Sequence, residues 1–493
     1  MADKSVVVIG SGFAGLSAAC FLAKKGWAVT VLEKNATPGG RACQLQEQGF
    51  TFDMGPSFYW MPDVFDRYFE SFGKKTSDYY KLIRLDPSYR IFWSDSRLDF
   101  AADINKLKES FEAIEKGSAF QLDKFLAQAA IKYRVGMGDM VYKPGLSITE
   151  FLNFKTLKGA LQLDLLNSIR THIARYFKHP RLRQAMEFPV LFLGALPQDT
   201  PSLYSLMNYA DIVGGTWYPK GGMYAVVEGM YQLALELGVK FHFGEPVVRL
   251  ETAKGTIVKV HTAKGTYEPD AVISGADYHF TETNLLSPGD RSYSDAYWKK
   301  RVMAPSCLMF YVGLNKKLKQ FEHHSLFFDV SFEKHGNEIY KNPTWPTEPL
   351  FYASVSSITD DSVAPAGYEN LVLLIPVAAG LENDNEEMRE KYFQKIIGRM
   401  EVLTGESILN SVVYKRSYSV SDFTRDYHSF RGNAYGLANT LRQTAIFRPS
   451  CRSRKLSNLF YTGQLTVPGP GVPPSLVSGE VVAGQVLKTF EKI

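Results

Sequence analysis

Cysteine is scarce and scattered: four residues in 493, at Cys20, Cys43, Cys307 and Cys451, with no C-x-x-C pair. That spacing excludes a disulfide framework, a zinc ribbon and an iron–sulfur site, and it fits reduced, buried thiols in a cytosolic protein. The nine histidines form no H-E-x-x-H motif, so no metal is expected. His323 and His324, the one adjacent pair, read as structural. An excess of charge is also missing. The 56 basic side chains against 51 acidic leave +5, and basic runs such as Lys299-Lys300-Arg301 are short, so nucleic acid is not an expected partner. No stretch approaches the roughly 18 unbroken apolar residues of a spanning helix, and the first residues lack the core and cleavage site of a signal peptide. There is no internal repeat and no low-complexity tract. What remains is a globular composition, 45% apolar and 22% charged, long enough for two or three domains.

The informative residues begin at the first strand. Ser5 to Gly10 is a buried β-run, followed by Gly10-x-Gly12-x-x-Gly15 and a helical pattern from Ala14 to Lys25. A second strand, Ala28 to Leu32, ends on Glu33. This is the strand–turn–helix–strand context of a dinucleotide fingerprint. Gly10 allows the tight turn, Gly12 lets the backbone approach a pyrophosphate, and Gly15 permits close helix–strand packing. Helix N-terminal amides face the phosphates, and Glu33 is placed to accept from a ribose hydroxyl.

Past Glu33 comes a second glycine pair with arginine, Gly39-Gly40-Arg41, and then Gly49-Phe50-Thr51-Phe52-Asp53-Met54-Gly55-Pro56. Near the other end, a strand-like Leu456 to Tyr461 leads to Gly463. The loop Pro468-Gly469-Pro470-Gly471-Val472-Pro473 then opens an apolar helix from Leu476 to Thr489. Between them lie Trp217-Tyr218-Pro219-Lys220-Gly221-Gly222 and Ala271 to Asp277. These segments resemble the bacterial-type phytoene desaturases, the carotenoid branch of the FAD-dependent amine oxidase superfamily, over almost the whole chain.

The resemblance implies an α/β fold in which a Rossmann-like doubly wound FAD domain is built from both chain ends (1–61, 220–285 and 450–493). A substrate domain of sheet and helices (62–219 and 286–449) is inserted into it, with a helical subdomain around 105–207. It implies FAD held by Gly10, Gly12, Ala14, Gly15, Glu33, Gly39, Gly40, Arg41, Gly55, Pro56, Val248, Asp277, Gly463, Gly471, Val472 and Pro473. A C40 polyene such as phytoene is the implied substrate, desaturated stepwise, with quinone or oxygen as electron acceptor. Phe188, Phe192, Trp217 and Tyr218 are candidate tunnel walls. Glu150 is the candidate acid–base group, since it alone survives from an Arg-acid-x-x-Arg stretch of the bacterial relatives.

Removing two hydrogens from saturated carbons needs a two-electron acceptor that no side chain provides. A hydrocarbon substrate must be bound by apolar area, which 13% aromatic residues can supply. Three runs at 245–250, 255–260 and 265–267 alternate like a meander, which 271–277 closes. Apolar and basic residues mix between Leu146 and Phe177, as in an interfacial helix pair, so a cytoplasmic protein attached to the membrane face is expected. Three alternatives stand beside the phytoene reading. One is a desaturase of a hydroxylated acyclic carotenoid, the second an amine oxidase, and the third a non-catalytic lipid-binding chaperone like the Rab GDP-dissociation inhibitors.

Overall fold

The structure is a computed structural model that describes residues 4–138, 140–151, 167–191 and 194–491. A five-stranded parallel sheet forms the first layer. Its strands are β1 (Ser5–Ile9), β2 (Ala28–Leu32), β3 (Lys240–His242), β4 (Ala271–Ser274) and β5 (Leu459–Tyr461), in spatial order β5-β4-β1-β2-β3. Central β1 and β4 read as apolar runs because both faces are covered; Val8, Val272 and Ile273 are all fully buried.

Three helices pack on this sheet: α1 (Phe13–Ala23), α2 (Tyr224–Glu236) and α3 (Val472–Phe490). Helix α1 is apolar on all sides, as a helix trapped between a sheet and another helix must be. Its contact with α3 is unusually close. A Cβ at Gly479 would stand 2.5 Å from the Ala14 carbonyl oxygen, and Ser17 Oγ donates to the Leu476 carbonyl at 2.7 Å.

The expected meander exists as a separate antiparallel sheet of 247–253, 256–262 and 266–267. The segment 271–274 does not close it. It inserts as β4 between β1 and β5, pairing Val8 with Ile273 and Ile273 with Phe460. The sequence could not separate these outcomes, because a short apolar run fits either kind of sheet.

The inserted region carries a seven-stranded sheet in the order 412–418, 306–314, 369–377, 351–354, 324–327, 89–92, 97–100. Every neighbouring pair is antiparallel except 89–92 with 324–327. Helices 104–114, 118–138, 169–174 and 180–191 lie beyond its last strands. Among the described residues no helix is long and apolar enough to cross a membrane. Ile169 and Ile173 are fully buried, which removes them from any membrane-facing surface. Leu152, Leu161, Leu165 and Leu166 lie outside the described residues.

Candidate functional site

One cavity of about 300 Å³ opens along the carboxyl ends of β1, β2 and β4, the position where open α/β sheets bind ligands. Its floor is the first turn. Gly10 adopts φ +91°, and a Cβ on Gly15 would fall 2.1 Å from the Gly10 carbonyl oxygen. Gly15 is therefore required by packing alone. Gly12 differs: a Cβ there would meet nothing within 4 Å, so its smallness serves whatever enters the cavity.

Gly39 bridges back to Gly12, with its amide donating to the Ser11 carbonyl at 3.0 Å. Gly40, at φ +55°, lies against Gly12. Glu33 reaches the cavity from the end of β2, 5% exposed. Its Oε2 accepts from Ser11 N at 2.8 Å and Ser11 Oγ at 2.9 Å, and Oε1 accepts from Asn35 N at 2.9 Å. These bonds fix the carboxylate beside the turn and leave lone pairs for a ligand hydroxyl.

The opposite end of the chain closes the cavity. Gly463, Gly471 and Val472 line it, and Gly471 at φ +112° caps the N-terminus of α3. The unpaired amides of that first turn make a site for negative charge. Arg41 lines the wall, half-buried. Its Nη2 donates to Ser429 Oγ at 2.9 Å, its guanidinium lies over the Tyr427 ring, and its Nε has no partner among the described residues. Burial lowers the Arg41 pKa and Asp277 opposes that shift. Burial raises the Asp277 carboxyl, while its bonds from Phe430 N (3.0 Å) and Phe280 N (3.1 Å) hold it down.

Gly55 and Pro56 also line the cavity, and a Cβ on Gly55 would stand 2.1 Å from the Arg41 carbonyl oxygen. Just before them, Asp53 accepts from Met223 N at 2.7 Å and Tyr224 N at 3.2 Å. The 49–56 segment thereby caps α2 directly behind the Gly221-Gly222 turn. A Cβ on Gly222 would approach Asp53 Oδ2 to 2.6 Å.

Gly10, Gly12, Ala14, Gly15, Glu33, Gly39, Gly40, Arg41, Gly55, Pro56, Asp277, Gly463, Gly471 and Val472 thus surround one space. Of Val247 and Val248, either of which the sequence allows for a backbone contact, Val247 lines the cavity, whereas the Val248 side chain is 53% exposed on the other face of its strand. Pro473 sits in the first turn of α3 without lining the cavity.

Glu150 has a structural task. Its carboxylate accepts from the amides of Gly145, Leu146 and Ser147 at 2.9, 3.1 and 3.2 Å, which ties a loop, and it does not line the cavity. Trp217 donates to the Gly214 carbonyl, and Tyr218 donates to Asp360 with its ring against His323. Neither lines the cavity. Phe188 belongs to an aromatic cluster with Phe58, Trp60 and Tyr89. Phe192 lies outside the described residues.

Several wall residues carry no sequence signal. Cys307, Met309, Leu374, Phe423, Tyr427, His428 and Tyr435 come from the inserted region, and only the sheet's fold brings them against the glycine turns. Burial raises the Cys307 thiol pKa, so it is not a thiolate.

The residues fit FAD. The open side of Gly12 admits a pyrophosphate, Glu33 can hold a ribose, and the Arg41 Nε with the first turn of α3 offers donors to a polar ring edge.

Comparison with known proteins agrees. The model of the flavin containing amine oxidoreductase family matches residues 13–487. The chain is 40% identical to the carotenoid 3,4-desaturase of Haloarcula japonica over 99% of both chains. It is 32% identical to the zeta-carotene-forming phytoene desaturase of Myxococcus xanthus, over 98% of this chain and 94% of that one. An oxidoreductase from Methanosarcina mazei shares the fold with a TM-score of 0.63 at 15% identity, over 97% of this chain and 100% of that one.

Proposed function

This chain belongs to the carotenoid desaturases of the flavin-containing amine oxidoreductase family, an FAD oxidoreductase, and from that premise we propose that it desaturates an acyclic C40 carotenoid, phytoene first. The observation that carries the reading is the join between two environments. The cavity built for FAD meets, at Pro56 and Leu374, the aromatic cluster of Phe58, Trp60, Phe188 and Tyr352. Such a cluster offers a hydrocarbon apolar area and excludes water, and each buried ring contributes a few kcal/mol of transfer energy.

Bound FAD supplies the two-electron acceptor that removal of hydrogens from adjacent carbons requires. The protein's part is to hold that group and the polyene in register. Gly10, Gly12 and Gly40 bring backbone against the pyrophosphate, Glu33 fixes the ribose, and Arg41 with the amides of α3 accommodates negative charge on the ring. Val247 takes the adenine contact. The substrate dissolves in lipid, so the protein works at a membrane face, where the exposed Leu146 and Ile148 beside Lys143 offer an edge for the surface. Quinone or oxygen reoxidises it.

A second reading is desaturation of an already conjugated carotenoid at its 3,4 bond, favoured by the 40% identity to the Haloarcula japonica enzyme. Expression in one host that accumulates phytoene and another that accumulates lycopene separates them. Coloured product in the first supports phytoene. A colourless first host with a red-shifted product in the second moves the assignment to the 3,4 bond. No change in either, with flavin-loaded protein present, overturns both readings.

A further inference from the structure

A buried polar chain, Ser57–Tyr352–His324, lies one residue behind the cavity wall and has no part in the cofactor cradle. Ser57 follows Pro56, which lines the cavity. Tyr352 stands opposite Leu374 in the sheet, and Leu374 lines it too. The Tyr352 hydroxyl donates to Ser57 Oγ at 2.9 Å and lies 2.6 Å from Nδ1 of His324. A phenol has one proton. Since that proton goes to Ser57, the short contact with His324 is donated by Nδ1–H, and the other ring nitrogen, Nε2, keeps a bare lone pair.

That Nε2 has no hydrogen-bond partner among the described residues, and His324 is 0% exposed. Its ring lies flat on Phe58 at 4.0 Å, and Phe58 packs in turn on Trp60 and Phe188. Leaving a buried acceptor unpaired is destabilising, a cost that a phenylalanine at this position would avoid. Burial and the neighbouring His323 hold the His324 pKa well below the usual histidine value, which keeps the ring neutral. His323 is engaged elsewhere, with Nδ1 2.7 Å from Thr359 Oγ1. The carboxylates near the cavity are also occupied: Asp277 and Asp53 each accept two backbone amides.

We propose that His324 is the general base of the desaturation, with Tyr352 and Ser57 as positioning residues that fix its tautomer. The assignment rests on the carotenoid reading. One substrate C–H bond yields its proton to Nε2 of His324, and the electron pair of that bond becomes the new π bond. FAD held in the cradle would supply the two-electron acceptor for the hydrogen that leaves the adjacent carbon with its electron pair. Two C–H bonds break, one C=C forms, and His324 becomes an imidazolium still bonded through Nδ1–H to Tyr352.

The test uses FAD-loaded full chain carrying His324→Gln, Tyr352→Phe or His324→Gly. Phytoene binding is read by quenching of tryptophan fluorescence, and chemistry by the anaerobic single-turnover loss of flavin absorbance. Expected for His324→Gln is phytoene affinity within about threefold of wild type, with a single-turnover rate lower by about 100-fold or more. Tyr352→Phe should lose roughly tenfold in rate at unchanged affinity, and added imidazole should partly restore His324→Gly. A wild-type rate in His324→Gln overturns the assignment, as does a rate loss matched by lost binding. If His324→Gly does not fold, the glutamine variant decides alone. Wild-type protein that neither binds nor turns over phytoene or a hydroxylated acyclic carotenoid overturns the carotenoid reading and this base together.

Discussion

At the residue scale, Gly12 and Gly15 look alike in sequence and differ in what holds them. A side chain at Gly15 would collide with the Gly10 carbonyl, whereas one at Gly12 meets only open space. Gly12→Val should therefore leave the melting temperature of cofactor-free protein within a few degrees of wild type while abolishing the flavin absorbance of the purified protein. Gly15→Ala should lower that melting temperature, since overpacking against backbone typically costs about 1–3 kcal/mol. Calorimetry with a visible spectrum separates the two. Glu33→Gln retains the size of the side chain and removes its charge. Loss of a charge-assisted hydrogen bond to the ribose should weaken FAD by about 1.5–3 kcal/mol, roughly ten- to a hundredfold in the dissociation constant. Unchanged affinity by fluorescence titration would take Glu33 out of the site.

At the element scale, helix 386–404 is fastened to the cavity wall by one arginine. Arg389 is 6% exposed and reaches Asp384 at 2.7 Å and Asp422 at 2.8 Å. Asp422 lies in the first turn of helix 420–427, which carries the cavity residues Phe423 and Tyr427. Removing one member of a buried ion network leaves uncompensated charge and costs about 3–5 kcal/mol. Arg389→Met should therefore show a urea midpoint well below wild type and faster FAD release, although the residue touches no ligand. Nothing local marks Arg389 in the sequence, because Asp422 is distant in the chain and becomes a neighbour only through the sheet. The cradle was far more legible. Gly10 to Gly15, Glu33 and the Gly471 turn each act within one strand–turn–helix unit, where spacing fixes geometry. Val247 and Val248 are not separable in sequence, because strand alternation moves a side chain to the other face with a shift of one residue. His324 was read as structural because its meaning lies in which of its nitrogens remains unbonded, and that depends on Tyr352 and Ser57 from two other segments.

At the scale of the whole molecule, buried acids set a pH dependence. Asp211 accepts from Tyr89 Oη at 2.7 Å and Thr216 Oγ1 at 3.1 Å, and burial pushes its carboxyl up to about 7. An unfolded aspartate titrates near ~3.9, so between those values the folded state retains a proton that the unfolded chain has released. The resulting stabilisation is complete below about pH 4 and is lost as pH rises through about 7. The buried histidines act in the opposite sense: burial lowers His323 to about 3 and His335 to about 4, and their effect fades only as pH rises past ~6.5. The histidines are common to wild type and Asp211→Asn, so urea unfolding of the two proteins at about pH 6.5 and 8.5 isolates the acid: wild type should show about 1 kcal/mol more loss of stability over that interval than Asp211→Asn. Asp53 is also pushed up to about 7 by burial and contributes in the same sense. The parallel sheet has a further consequence, for the order in which the protein is made. Strands β1 and β2 leave the ribosome first, but β5 and α3, which complete their sheet and cover α1, are among the last segments synthesised. The seven-stranded sheet has all its strands by residue 418, so it is free to pair while the nucleotide cradle still lacks one side. Cofactor capture is therefore a late event in biogenesis. A message truncated ahead of β5 yields a chain able to assemble the inserted sheet but unable to retain flavin.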